Sequence, residues 1–277
     1  MVSCKFKITR AMFVQAASSV GSAFGGSGVR PILSRASAAA GFVATAASAQ
    51  QSAPQPVTAS TYYRCDVARE ARADTLYKQV WAPALDRQIK AGHLTGYGFS
   101  SHSIGGGWRR LEYLTAPSIE HLIAGRDAYV ADGAKANPKG AAEFDAICGS
   151  HDDYIWQDGV TSKDNPAAPP APYSYSRYTS CDMSKEGEAD LIMETVFAPI
   201  MNKHLAAGHI TSWSWLIHYM GGPVRRVLLW RGADVVSLLR AEEMISADMS
   251  ANGLYAAFTA ACSGHSDYIW HAEVASP

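Results

Sequence analysis

Shifted by 116 positions, this chain of 277 residues lies over itself. "CDVAREARAD" (65–74) meets "CDMSKEGEAD" (181–190), and "VWAPALDRQIKAGHLTGYGFSSH" (80–102) meets "VFAPIMNKHLAAGHITSWSWLIH" (196–218). "GGGWRRLEYL" (105–114) meets "GGPVRRVLLW" (221–230), and after a two-residue slip "ICGSHDDYIW" (147–156) meets "ACSGHSDYIW" (261–270). Two copies of a unit of about 100 residues are too few and too long to stack as a solenoid. A duplicated domain is the expectation. It has one repeat at 61–157 and a second at 176–272, a Pro- and Ala-rich linker at 158–175, a short linker at 50–60 and a tail at 273–277.

Residues 1–49 have a different composition. No Asp or Glu precedes Asp66, and the segment is rich in Ala, Ser and Gly. Arg30 and Arg35, a mildly apolar stretch at 36–46 and Ala47-Ser48-Ala49 before Gln50 have the order of a secretory signal peptide cleaved near Ala49. The expected location is therefore periplasmic or secreted, with an organellar transit peptide as the alternative. Over the whole chain 24 basic side chains face 25 acidic ones, which gives no electrostatic footprint for nucleic acid. No apolar run is long enough to span a membrane.

Each repeat carries a readable order of elements. "YYRCDV" alternates as a strand. Leu76, Val80, Ala84 and Ile89 fall near helical spacing, and Gly92 and Gly208 sit where glycine ends a helix. Pro83 and Pro199 predict a kink or a restart inside that helix. "TGYGFSSH" and "WRRLEYL" read as a hairpin, and Ser118 and Asp234 as caps of the next helix. A third helix and the strand "DYIW" complete β-α-β-β-α-(α)-β, the ferredoxin-like order.

With this order, and with the W/F-A-P…GH…GG…RR pattern, the chain resembles the dimeric α/β-barrel superfamily, which includes antibiotic-biosynthesis-monooxygenase-like, EthD-like and NIPSNAP-like domains. No single family's signature is matched. The resemblance implies an α+β fold in which two tandem ferredoxin-like units pair within one chain as an intrachain α/β-barrel pseudo-dimer. Each sheet then buries against its sibling the face its helices leave bare. First and last strands are neighbours in such a sheet, so Cys65 can face Cys148 and Cys181 can face Cys262. In an oxidising compartment these form two disulfides; in a reducing one they stay buried thiols.

Several residues are candidates for chemistry. His102 and His218 end the second strand of each repeat and are the candidate proton-transfer groups. Alternation places Arg110 and Arg226 toward the space between repeats beside Trp108 and Trp230, as ligand-binding candidates, with a buried ion pair as the structural alternative. His151-x-Asp153 and His265-x-Asp267 read as turns, and His93 and His209 as helix-end groups. Neither a metal site nor a cofactor is expected, because no ligand spacing or nucleotide fingerprint occurs. The leading expectation is an exported protein that binds a small apolar or aromatic molecule in a barrel cavity. A cofactor-independent monooxygenase or isomerase is the alternative, and a structural protein with a filled barrel the third.

Overall fold

A computed structural model describes residues 55–162 and 171–276. The targeting segment and part of the central linker lie outside the described residues. Strand β1 (Val57–Arg64) leads into α1 (Glu70–Leu76), a π-helical turn (Tyr77–Trp81) and α2 (Ala82–Lys90). The hairpin β2 (Gly96–Ile104) and β3 (Arg110–Ala116) follows, then α3 (Ile119–Ala136), α4 (Pro138–Ile147) and β4 (Ser150–Thr161). The second half runs β5 (Tyr173–Ser180), α5 (Glu186–Ile192), a π-helical turn (Met193–Phe197) and α6 (Ala198–Ala206). It ends with β6 (Ser212–Met220), β7 (Arg226–Gly232), α7 (Val235–Ser250), α8 (Tyr255–Ala261) and β8 (Gly264–Ala275).

The fold is α+β, and its eight antiparallel strands close into one barrel in the order β1-β3-β2-β8-β5-β7-β6-β4, with β4 returning to β1. Closure depends on two long strands. β4 pairs with β1 over Ser150–Gln157, then continues and pairs with β6 through Trp156↔His218, Asp158↔Leu216 and Thr161↔Ser214. β8 pairs with β5 and then with β2, through His102↔Trp270, Ser100↔Ala272 and Gly98↔Ala275. Both crossings contain register shifts, which bend a strand enough to pass from one partner to the next. The strands accordingly exceed the expected bounds. β4 and β8 run past 157 and 272 to Thr161 and Ala275, because those extra residues pair with the opposite half. β1 and β5 start at Val57 and Tyr173, inside the expected linkers.

Helix caps, helix stops and the prolines follow local rules, whereas His151-x-Asp153 and His265-x-Asp267, expected as turns, lie within β4 and β8. Ser118 accepts a hydrogen bond from His121 N and Asp234 from Ser237 N, each filling one orphan amide of a helix start. Gly92 and Gly208 adopt φ of 77° and 74°, the left-handed conformation of a helix stop. Proline lacks the amide for an ordinary helical bond, and its ring crowds the carbonyl four residues back. The helix relieves this with a wider turn, in which Ala82 N donates to Tyr77 O and Ala198 N to Met193 O, so Pro83 and Pro199 begin the next α-helical stretch.

Cys65–Cys148 and Cys181–Cys262 are disulfides, each joining the end of a half's first strand to the residue closing its last helix. Asp66 N to Ile147 O and Asp182 N to Ala261 O, both 2.9 Å, hold the same junctions through the backbone. Replacing Cys65 and Cys148 together with Ser opens a loop with a sequence separation of 83. We predict a loss of up to about 4 kcal/mol. It is measured as a lower urea midpoint, and reduction of the wild-type chain should lower that midpoint further.

Candidate functional site

Along each strand alternate residues face the helices or the barrel axis. The axis is filled with aromatic side chains rather than hollow. Tyr62 stacks on Trp108 at 4.3 Å and meets Tyr154 and Tyr178 edge-on. Tyr154 stacks on Trp156 at 5.0 Å, and Tyr268 on Trp270 at 5.2 Å. Trp270 Nε1 donates to Tyr178 Oη at 3.2 Å.

Above this plug one barrel mouth opens into a cavity of about 850 Å³. Its floor is Trp108, Tyr154, Tyr178 and Tyr268, and its walls include Arg64, His151, Asp152, His265 and Ser266. The two hairpins contribute Gly107 and Gly222 to Val224. Gly105 and Gly221, with φ of 141° and 134°, let each hairpin fold over a tyrosine of the opposite half. A Cβ on Gly105 would come within 2.5 Å of Tyr268, and one on Gly221 within 2.6 Å of Tyr154.

The walls of the cavity differ chemically. On one side Arg64 Nη2 donates to Asp152 Oδ2 at 2.5 Å, and Trp108 Nε1 donates to the same oxygen at 2.7 Å. The Arg64 guanidinium holds the Asp152 carboxyl below the ordinary carboxylate range. At the matching positions the second half carries Ser180, Ser266 and Val224. The mouth thus has an aromatic floor, one charged wall and one neutral wall.

Of the sequence candidates, Trp108 lies in this mouth. Arg110, Arg226 and Trp230 do not face the axis, which corrects the orientation expected for them. Arg110 bonds Asp74 of α1 at 2.6 and 2.8 Å, and Arg226 bonds Asp190 of α5 at 2.7 and 2.7 Å. Trp230 stacks on Tyr175 at 4.2 Å within the core between sheet and helices. The expectation failed because the apolar run Leu111, Tyr113, Val227, Leu229 was given to the helices. In a barrel with an aromatic interior both faces are apolar, so apolarity does not tell inside from outside. The aspartates on the helices were the missing clue: Asp74 and Asp190 each lie 36 residues before their arginine. Alternation also breaks ahead of β3, which leaves Trp108 inward and Arg110 outward.

His102 and His218 face the axis but lie outside the lining of the cavity. Each is built in the same way, by a chain that sequence reading missed. Glu70 accepts from Arg109 Nε at 2.5 Å, and Arg109 Nη1 reaches His102 Nδ1 at 2.8 Å. Glu186, Arg225 and His218 repeat this at 2.5 and 2.7 Å. A guanidinium only donates, so each Nδ1 is the acceptor and the neutral ring carries its proton on Nε2. Both Nε2 atoms are buried without a hydrogen-bond partner among the described residues. His102 stands perpendicular to Tyr268 and Trp270, and His218 to Tyr154 and Trp156, so each histidine meets the aromatic pair of the other half.

The four cysteines pair as described, and no cluster of three or more metal-ligating side chains occurs among the described residues. His93 and His209 follow helix ends and bond inward. His93 Nδ1 meets Gln88 Oε1 at 2.9 Å, and His209 Nδ1 meets His204 Nδ1 at 2.9 Å. Gln88 and His204 in turn reach Asp132 and Asp248, so the histidine pair repeats the work of a glutamine amide.

No protein-family model matches the chain, and no curated protein matches it. Solved structures with a similar fold include a candidate monooxygenase from Fusobacterium nucleatum subsp. nucleatum, at TM-score 0.55 and 7% identity over 80% of this chain and 94% of that one. A second candidate monooxygenase, from Lactobacillus acidophilus NCFM, scores 0.52 at 8% identity over 80% and 96%. An anthrone oxidase-like protein scores 0.51 at 10% identity over 80% and 92%. At these identities the likeness is one of fold alone.

Burial and then the neighbouring Arg109 or Arg225 hold both histidine rings below the ordinary histidine range. The folded chain therefore binds fewer protons than the unfolded one. Their contribution is fully present above about pH 6.5 and is lost as the pH falls toward the lowered folded values. Glu70 and Glu186, whose pKa burial raises but the arginines lower further, titrate below this window. We predict a urea midpoint that drops between pH 7.5 and 5.5, and a flatter drop in the His102→Gln, His218→Gln variant. We also predict that Arg110→Ala costs about 3 kcal/mol, since it strands the Asp74 carboxylate. Chemical denaturation at pH 7.5 measures it.

Proposed function

We propose that the chain is an exported pseudo-dimer, built from a duplicated ferredoxin-like unit, whose barrel mouth binds a small apolar or aromatic molecule. The observation that carries this is the mouth cavity of about 850 Å³, with four aromatic rings in its floor and a few polar groups around it. Sites for small molecules have this composition: apolar area for affinity and a few polar groups for orientation. Trp108 lines the cavity while stacked with Tyr62 at 4.3 Å and Tyr268 at 5.1 Å. Its indole is held by Asp152, which Arg64 holds in turn, so the ring is fixed before a ligand arrives. The polar edge of the ligand meets Arg64 and His151, and its apolar edge meets Val224.

Duplication is supported by features that recur in both halves. These are the strand orders β4-β1-β3-β2 and β8-β5-β7-β6, the proline-linked π turns, the disulfides and the Glu-Arg-His chains. Export is supported by the two disulfides, which persist in an oxidising compartment, and by the signal-like order of residues 1–49.

The enzyme alternative, a cofactor-independent monooxygenase or isomerase, draws on the fold shared with candidate monooxygenases. In it His102 or His218 moves a proton, which requires the aromatic pair beside that ring to part. Arg110, Arg226 and Trp230 take no part in either reading, since they are engaged on the helix side. The filled axis supports the third reading, a structural protein, and the open mouth weighs against it.

The test uses the disulfide-bonded chain and a tricyclic aromatic probe, anthrone. Saturable quenching of tryptophan fluorescence is expected, weakened at least tenfold by Trp108→Ala and by Tyr268→Ala. Loss of quenching in the wild type, or quenching indifferent to both changes, overturns the mouth as a binding site. Oxygen consumption with the same probe, abolished by His102→Gln or His218→Gln, would replace binding with turnover as the reading.

A further inference from the structure

The two halves end α2 and α6 in the same way, with one exchange. In the first half His93 Nδ1 meets Gln88 Oε1 at 2.9 Å, and Gln88 Nε2 reaches Asp132 Oδ2 at 3.5 Å. In the second half His204 stands for Gln88, His209 for His93 and Asp248 for Asp132. His209 Nδ1 lies 2.9 Å from His204 Nδ1, and His204 Nε2 lies 3.0 Å from Asp248 Oδ2. A glutamine amide does the structural work in one half, by joining the histidine after the helix end to the aspartate of α3. The fold therefore does not ask for a second ring at 204.

What the second ring adds is a lone pair. Asp248, paired with Lys203 at 2.6 Å, only accepts, so the neutral His204 ring carries its proton on Nε2 and leaves Nδ1 bare. His209 then donates to it from Nδ1. The ring centroids are 5.2 Å apart, so the two nitrogens point at one another across a single proton. A step of five positions is no metal motif in the sequence. The rings meet because Gly208, with φ of 74°, stops the helix and His209 N returns to bond His204 O at 3.0 Å. His204 is 2% exposed and held by Asp248, whereas His209 is exposed. One ring is fixed and the other has room to turn.

We infer that His204 and His209 bind one divalent late transition-metal ion, copper(II) before the others, through their Nδ1 atoms, with water in its remaining positions. Imidazole is a ligand for copper, nickel and zinc, and copper(II) stands highest in the affinity order for such donors. The ion takes the place of the shared proton. Bonds of about 2.0 Å to each nitrogen are reached when the exposed ring turns so that both lone pairs meet on the ion. The displaced proton moves to His209 Nε2, and that ring stays neutral. Asp248 adds a second reason. A carboxylate on the far nitrogen of a ligating histidine fixes its tautomer and orientation and makes it a better donor. Two protein ligands leave an open site, in keeping with the lack of any cluster of three among the described residues. The pair precedes β6, which reaches the mouth only at its other end, so this site does not depend on the mouth.

The experiment adds copper(II) chloride to the full disulfide-bonded chain, with calorimetry for affinity and electron paramagnetic resonance for the ligands. The expected result is one tightly bound ion per chain, with splitting from two ring nitrogens. Magnesium chloride in excess should leave the spectrum as it is, since imidazole does not suit that ion. His204→Gln copies the first half, a pairing the fold already accepts, and should weaken the tight site at least about tenfold. Gln88→His builds the same pair with His93 and Asp132 and should raise the number of tight ions from one to two. A tight site showing one ring nitrogen or none, an affinity that survives His204→Gln, or a Gln88→His chain that still takes one ion overturns the inference.

Discussion

The structure depends on what happens at four strand edges. A four-stranded sheet in the order β4-β1-β3-β2 ends in two open edges, each a row of unpaired amides and carbonyls. Here β4 outruns β1 and pairs with β6, and β8 outruns β5 and pairs with β2. No edge remains, and the faces not covered by helices are turned toward a common axis. That axis must be filled, and residues on it come from both halves: tyrosines and tryptophans that stack in pairs and meet the other half's histidine. The mouth cavity is what is left where the aromatic packing stops short of the hairpin tips.

Much of this was legible in the sequence because it follows from local rules. A glycine after a helical run, a serine or aspartate before one, and a proline within one act through the backbone, and Gly92, Ser118 and Pro83 did what such residues do. The cysteines were legible because β1 and β4 had to be neighbours. The facing of β3 and β7 was not. The rule that polar residues mark the outside assumes a single core, and this chain has three layers: helices, sheet and a filled axis. Arg110 sits in one core and Trp108 in another, two residues apart, and no periodicity separates them. The bounds of β4 and β8 were missed for a related reason. β4 adds Asp158 to Thr161 and β8 adds Glu273 to Ala275, stretches too short and mixed to read as strand alone, and they are strand only because a partner from the other half lies beside them.

The two halves agree in some features and part in others. Where they agree, in the disulfides, the π turns and the Glu-Arg-His chains, the shared residues build the frame. Where they part, the first half has the larger or charged group at the mouth, Trp108 against Val224, Arg64 against Ser180 and Asp152 against Ser266, and in the core Glu112 stands against Leu228. A barrel made from two separate identical chains would have to present the same wall twice. One chain carrying both halves can make an asymmetric mouth, with a charged side and a neutral one, and such a mouth can hold a ligand in one orientation.

Both sulfur bridges tie a half to itself, and neither crosses the boundary at β2–β8 or β4–β6. That boundary is held by ladder bonds and ring packing, and the main chain alone keeps the right partner close. A half from another molecule offers the same ladder and the same rings. At high concentration, or with the connecting segment shortened, two chains can therefore trade halves and leave each barrel intact.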